Sequence, residues 1–347
     1  MTIGWALLGP GRHAEGFVVP EMKQAADSKL VAVLSRDRQR AESFADKHGF
    51  DRAYDSLDSL LADPDVDAIY DASPDGLHGG NVIRVAEAGK HILVEKPLAI
   101  SVDECRQAIQ ACRQHGVKLG VVFQERHQPA NKEARRIVLT GGIGELLAIR
   151  VQLAVAAPAP PTTDRSAPNW RMDQRMRPGG IVMGVGDHGY DTMRYIAGQE
   201  VLEVTAFTDS TSDVASNERT AQAMLKMEGG CIGSLVVTRR APFTQVEVIA
   251  LGTEGTLVCS NTFSFLTRTG RVMGQPQLEI TTTKGVTVQE FAAANCFTAE
   301  IESFNRAIAM DEEPTTSGRE GLINQAINEA IYESNRTGRV TRISPDR

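Results

Sequence analysis

Residues 3–14 read IGWALLGPGRHA, an apolar run that stops at Gly9-x-Gly11 with Ala14 three residues further on. The run has the length and composition of a buried strand. Gly9, Gly11 and Ala14 then follow the Gly-x-Gly-x-x-Gly/Ala spacing of a strand-to-helix turn. Glycine at the first two positions permits a tight turn and close approach of the backbone to a pyrophosphate, whose charge the following helix N-terminus holds. A glycine pattern by itself is weak, and its place after the first strand of an alternating region strengthens it. The expectation is a dinucleotide site with Gly9, Gly11, Arg12 and His13 at the turn.

Outward from that turn, the first 125 residues alternate short apolar runs with amphipathic segments, the signal for β-α-β units and a parallel sheet. Candidate strands are IGWALLG, LVAVLS, RAYD, DAIYDAS, HILVEK and KLGVVF, with helices such as RQRAESFADKHG and SVDECRQAIQACRQHG between them. Ser101 and Glu104 stand in capping-box register at the start of the latter helix. After NKEARRIVLTGGIGE the pattern changes to longer, alternating, β-branched runs from LLAIRVQLAVA to PQLEITTT. With few helices between them, these should pair antiparallel as one open sheet, whose outer apolar residues favour self-association. The organisation expected is α/β: a Rossmann domain over 1–125 and a substrate-binding and oligomerisation α/β domain over 126–347, closed by two helices. The Pro-rich break at residues 156–180 has the length of a functional lid.

Bulk properties narrow the partners. A chain of 347 residues has room for two cores. The net charge of -7 argues against nucleic acid or an anionic membrane as the main partner, since both need a basic face. No apolar run approaches the roughly 20 residues of a membrane span, and the N-terminus enters a strand rather than a cleavable signal, so a cytoplasmic protein is expected. The five cysteines and seven histidines are scattered without metal-ligand spacing, and no metal site is expected.

At the end of the second strand, where an NAD enzyme carries an acid for the ribose hydroxyls, the sequence has Ser35 and Arg36. Arg36 and Arg40 could bracket a 2′-phosphate, which favours NADP with NAD possible. The alternative is that both arginines are solvated and Asp37 binds the ribose. Ser73, Pro74 and His78 follow the fourth strand, and Glu95 and Lys96 end the fifth. These positions lie at carboxyl ends of parallel strands, where ligands bind in open α/β sheets. Pro97 biases Lys96 toward an extended backbone and so directs its side chain. His78 either meets the cofactor or merely shapes its pocket.

The motifs DPDVDAIYDASPDGLH, AGKHILVEKPLA, GVVFQERHQPA, RPGGIVMGVGDHGYDTMRYIAG and GTEGTL, taken in this order with GPGRHA, resemble the glucose-fructose oxidoreductase / inositol dehydrogenase / MocA family over essentially the whole chain. The resemblance implies a Rossmann domain followed by an α/β domain on a large open sheet, homo-oligomers such as dimers or tetramers, and NAD(P)-dependent oxidation or reduction of sugars, polyols or related cyclic alcohols and ketones. It assigns Lys96 to the reacting oxygen beside the nicotinamide and His188 to the general acid/base, with Asp191 following. It also brings Trp170 and Arg171 toward the cofactor; Arg126 and Asp187 are further substrate-binding candidates, Asp187 being an extra carboxylate without a family counterpart. Hydride transfer at carbon must be matched by proton transfer at its oxygen, which suits a histidine. Many members carry an aspartate four residues before that histidine, where this chain has Gly184. A non-catalytic dinucleotide sensor and a dihydrodiol dehydrogenase are the alternatives; an NAD-dependent glycosidase is disfavoured by the intact Glu-Lys-Pro motif. Arg171, Arg175 and Arg177 read as a solvated face, or as partners of an anionic group.

Overall fold

The structure is a computed structural model describing residues 1–156, 170, 173–210, 218–264 and 274–343. It divides into two compact units, Met1–Phe123 with Phe297–Gln325, and Gln124–Cys296 with Ala326–Arg347.

The first unit is built on a six-stranded sheet, β1 (Ile3–Leu8), β2 (Ser28–Leu34), β3 (Arg52–Tyr54), β4 (Ala68–Asp71), β5 (His91–Val94) and β6 (Leu119–Val121), in the order β3-β2-β1-β4-β5-β6. Every pairing is parallel. The order reverses direction between β1 and β4, so the ligand crevice of such a sheet lies at their carboxyl ends. All six residues of β1 are buried, because alternate side chains enter cores on opposite faces. Ala6 and Leu8 pack with Ile69 and Val94, while Trp5 and Leu7 pack with Tyr70 and Leu93.

The second face also takes Phe297, Ile301 and Phe304 from the helix Cys296–Met310. Trp5 Nε1 donates to Asn305 Oδ1 at 3.1 Å. The sequence reading gave all of 126–347 to one domain. The structure divides this stretch because the apolar stripe of the helix fills the first unit's core. A Cβ on Gly120 would come within 2.9 Å of the Phe304 ring, which explains a glycine in β6.

Local signals start and stop the connecting helices. Asp37 caps α2 (Arg38–His48) by accepting from Arg40 N, and Gly49 ends it at φ 72°. Ser101 Oγ accepts from Glu104 N at the start of α5 (Val102–His115). Glu104 reaches back one residue beyond the box, to Ile100 N at 3.4 Å.

The second unit holds a nine-stranded sheet in the order β14-β13-β12-β11-β7-β10-β9-β8-β15. Its strands are β7 (Leu146–Ala156), β8 (Val201–Thr208), β9 (Thr220–Met227), β10 (Ile232–Ala241), β11 (Gln245–Gly252), β12 (Gly255–Ser260), β13 (Gln277–Thr282), β14 (Gly285–Glu290) and β15 (Thr341–Arg342). The sheet is mostly antiparallel, as expected, and β7 and β10 run parallel. Consecutive strands joined by tight turns pair antiparallel, whereas β7 and β10 are separated by a long crossover that lets them run the same way. That crossover contains α7 (Asp187–Ala197). Its Gly189 lies so close to the sheet that a Cβ would fall 2.6 Å from Leu235 and 3.1 Å from Leu153. The helix is thereby seated on β7 and β10, which sets the position of its first turn.

Candidate functional site

In the first unit the glycine turn has the geometry a pyrophosphate needs. Gly9 has φ 79°, and a Cβ on it would fall 2.7 Å from the Ala72 carbonyl oxygen. The nearest atom to a Cβ on Gly11 is 3.9 Å away, so the backbone is open on that side. The helix begins directly after, with Ala14 buried in the core. These residues fit the phosphates of a nicotinamide dinucleotide: one glycine permits the close turn, and the other leaves the approach clear.

Next to the turn, Arg40 Nη2 donates to the Pro10 carbonyl at 2.8 Å, holding an exposed guanidinium against the loop. Asp37, the candidate ribose acid, spends Oδ1 on the Arg40 N–H at 2.8 Å. Its own N–H donates to Ser35 Oγ at 3.3 Å. Arg12 and Arg36 are exposed. The region thus offers cations and one acid committed to a helix cap.

At the end of β5, Glu95 accepts from the Tyr70 hydroxyl at 2.8 Å and lies 2.8 Å from His13 Nε2. Burial pushes its carboxyl up, but His13, Tyr70 and Lys96 together hold it below the usual carboxylate range. An ionised Glu95 therefore stands beside Lys96 and links the glycine turn to the strand that carries the lysine. The Lys96–Pro97 peptide is cis. His78 is buried, with Nδ1 2.7 Å from the Pro97 carbonyl and Nε2 2.9 Å from the Ser73 carbonyl. Both ring nitrogens thus lie against backbone carbonyls at the ends of two neighbouring strands. Pro74 precedes the helix α4 (Asp75–Glu87) as its N-cap.

In the second unit, His188 sits in the first turn of α7, 7% exposed. Arg126 makes a two-pronged pair with Asp191, Nε to Oδ2 at 3.0 Å and Nη2 to Oδ1 at 2.7 Å. Asp187 is 1% exposed; it accepts from the Tyr190 hydroxyl and from Asn328 Nδ2 at 2.9 Å. Arg126 and Asp187, the two further substrate candidates, thus both make contacts in the first turns of α7 beside His188. Trp170 is described, and the Arg177 guanidinium lies 5.0 Å over its ring; Arg171 and most of the Pro-rich break lie outside the described residues.

A residue that sequence reading missed governs the approach to α7. Glu218, 2% exposed, accepts from Gly180 N at 2.8 Å, Val182 N at 3.0 Å and the Tyr332 hydroxyl at 2.8 Å. Burial dominates these contacts and raises its carboxyl above the usual range. A Cβ on Gly180 would fall 2.3 Å from the Glu218 carbonyl oxygen, so the Gly179–Gly180 pair exists to let this clamp close. Nothing in the stretch around Glu218 marks it, because its partners are 36 and 114 residues distant.

Two family models cover most of the chain. One, described as the oxidoreductase family with an NAD-binding Rossmann fold, matches residues 3–123, and the GFO/IDH/MocA C-terminal domain matches residues 131–258. The chain belongs to the GFO/IDH/MocA oxidoreductase family. Among family relatives, it is 26% identical over 340 residues to a 1,5-anhydro-D-fructose reductase of Ensifer adhaerens, covering 98% of both chains. It is 29% identical over 334 residues to an NADP(+) D-xylose 1-dehydrogenase of Haloferax volcanii, covering 96% of this chain and 98% of the other. The fold matches the aldose-aldose oxidoreductase of Caulobacter crescentus with a TM-score of 0.86 at 25% identity, covering 99% and 100% of the chains. As a member of this family, the chain is a dinucleotide-dependent oxidoreductase.

Proposed function

We infer that this family member prefers NADP and interconverts a hydroxyl and a carbonyl on a sugar, polyol or related cyclic substrate, with Lys96 and His188 as the catalytic residues. The reading of chemistry rests on family membership together with the presence of both residues, and the names of the sugar-acting relatives support the substrate class. A bound nicotinamide dinucleotide would supply or accept the hydride. Lys96, with its neighbour Glu95 ionised, presents an ammonium that donates to the substrate oxygen and favours negative charge on it. His188 exchanges the proton of that oxygen; Arg126, Asp191 and Asp187 hold the helix turn that carries it.

The commitment of Asp37 to its helix cap supports NADP, since it leaves Ser35, Arg36 and Arg40 to meet the ribose end of the cofactor. Self-association through the outer face of the large sheet is part of the same reading. A cytoplasmic setting suits five cysteines that are all buried. The decisive experiment follows reduced-nicotinamide absorbance with purified protein, NADPH or NADH, and a panel of keto-sugars, inososes and diones, then the oxidative direction. Turnover with any of them supports an enzyme; dinucleotide binding without turnover would leave a sensor instead.

A further inference from the structure

His13 follows Gly11 on the phosphate turn, yet its ring reaches the end of β5, 82 residues further along the chain. Nε2 lies 2.8 Å from Glu95 Oε1, the same oxygen that accepts from the Tyr70 hydroxyl at 2.8 Å. Glu95 is ionised, so Nε2 carries the proton and donates. The ring is held in place: Phe17 stacks on it at 5.4 Å, and Phe297 meets it edge-on at 5.9 Å. Glu95 is fixed from the other side, since its N–H donates to the Asp71 carbonyl at 2.9 Å and Tyr70 is fully buried in β4.

The turn and the residue next to Lys96 are thus joined by one side-chain bond. Among the described residues, Glu95 is the charged partner of His13, while Tyr70 and Lys96 act on Glu95. Burial, Glu95 and Glu300 keep the Tyr70 hydroxyl protonated far above neutral pH, so Tyr70 remains a donor. Burial pushes the Glu95 carboxyl up, and among the groups that outweigh this His13 contributes most. Without His13 the carboxyl would keep its burial and take up a proton at milder acidity. A neutral Glu95 no longer favours the ammonium form of Lys96. We propose that His13 is a positioning residue for Lys96: by donating to Glu95 it fastens the phosphate turn to the end of β5, so that the lysine is charged and aimed when the dinucleotide sits on the turn. This rests on the oxidoreductase reading given above.

The test uses two variants. His13→Leu keeps an apolar body between Phe17 and Phe297 but removes the donor, whereas His13→Gln retains a donating N–H at similar reach. At saturating NADPH, kcat of the Leu variant should fall about tenfold at about pH 8, and by about fivefold more relative to wild type at about pH 6. The deficit deepens toward acid because a carboxylate relieved of its partner loses its charge as pH falls; titration of His188 is common to all variants and cancels in the ratio. The Gln variant should recover most of kcat at about pH 8. A histidine serving only as a cofactor contact would instead raise the NADPH Kd and spare kcat at saturation. A second readout needs no turnover: labelling of Lys96 by trinitrobenzenesulfonate, followed by peptide mapping. At about pH 6 the Leu variant should label about threefold faster than wild type, because a neutral Glu95 leaves more of the lysine as amine, and the Gln variant should return toward wild type. A kcat within about twofold of wild type, a deficit equal at both pH values, or a Gln variant no better than Leu overturns the link and leaves the oxidoreductase reading intact. Should no sugar turn over at all, that reading falls and the labelling decides the link: faster labelling in the Leu variant upholds it, and equal rates refute it.

Discussion

Lys96 and His188 carry different halves of one event, so their replacement has a distinctive signature. Lys96→Met and His188→Ala should each lower kcat by at least about 100-fold while NADPH affinity stays nearly unchanged. The double variant should lose little beyond the worse single one, because groups acting on one step are not additive. Steady-state kinetics alongside fluorescence titration of NADPH checks this; full turnover in the His188 variant would transfer the proton to another group. Ser35 offers a second residue-scale test. Ser35→Asp places a carboxylate where ribose hydroxyls are bound and a 2′-phosphate is repelled, and should move the kcat/KM ratio toward NAD by about tenfold or more. A wild-type enzyme that already favours NAD would show that Arg36 and Arg40 do not serve a phosphate. Ser35, Lys96 and His188 stand out in the sequence because each interrupts a regular pattern at a strand or helix end. The contacts of Arg126 with Asp191 and of Asp187 with Asn328 were not legible, since their partners lie 65 and 141 residues away.

At the scale of elements, the helix bearing His188 depends on a clamp with no local signature. Glu218→Ala would leave the Gly180 and Val182 amides and the Tyr332 hydroxyl without their acceptor in a buried place. Two or more such orphaned groups should cost about 2–4 kcal/mol, less whatever water recovers. Urea denaturation measures this directly, and kcat should fall as well because the turn before His188 loses its hold. A loss under about 0.5 kcal/mol would show that the clamp is dispensable. The helix cap at Ser101 could be read beforehand, because a cap involves residues three apart. The Glu218 clamp could not, because it joins a loop, a glycine pair and a C-terminal helix.

For the whole molecule, strand register gathers apolar residues on the sheet's outer face. Ile232 of β10, Ala148 of β7 and Leu251 of β11 stand side by side across three strands, and Ile232 and Leu251 are 43% and 44% exposed. Phe207 and Met224 on the flanking strands are exposed too. Such a face is expected to be covered by a second copy. Light scattering at micromolar concentration should give a dimer or tetramer, and Ile232→Glu combined with Leu251→Glu should shift it toward monomer. A wild-type monomer would remove the sheet from any role in assembly.

What the amino-acid sequence determined by itself was whatever depends on neighbours along the chain. The period of apolar residues specifies strands and helices, Gly9 and Gly11 permit the turn after β1, and Asp37 and Ser101 start helices, all through interactions spanning a few residues. The order β3-β2-β1-β4-β5-β6 follows from linking such units with short crossovers, so the Rossmann unit was legible almost entire. Only the tertiary structure decided which unit takes the helix Cys296–Met310, that β7 and β10 run parallel, and that Glu218 closes on the Gly180 and Val182 amides. In those cases the partners are far apart in the chain, and their meeting is set by packing against a core rather than by any local preference.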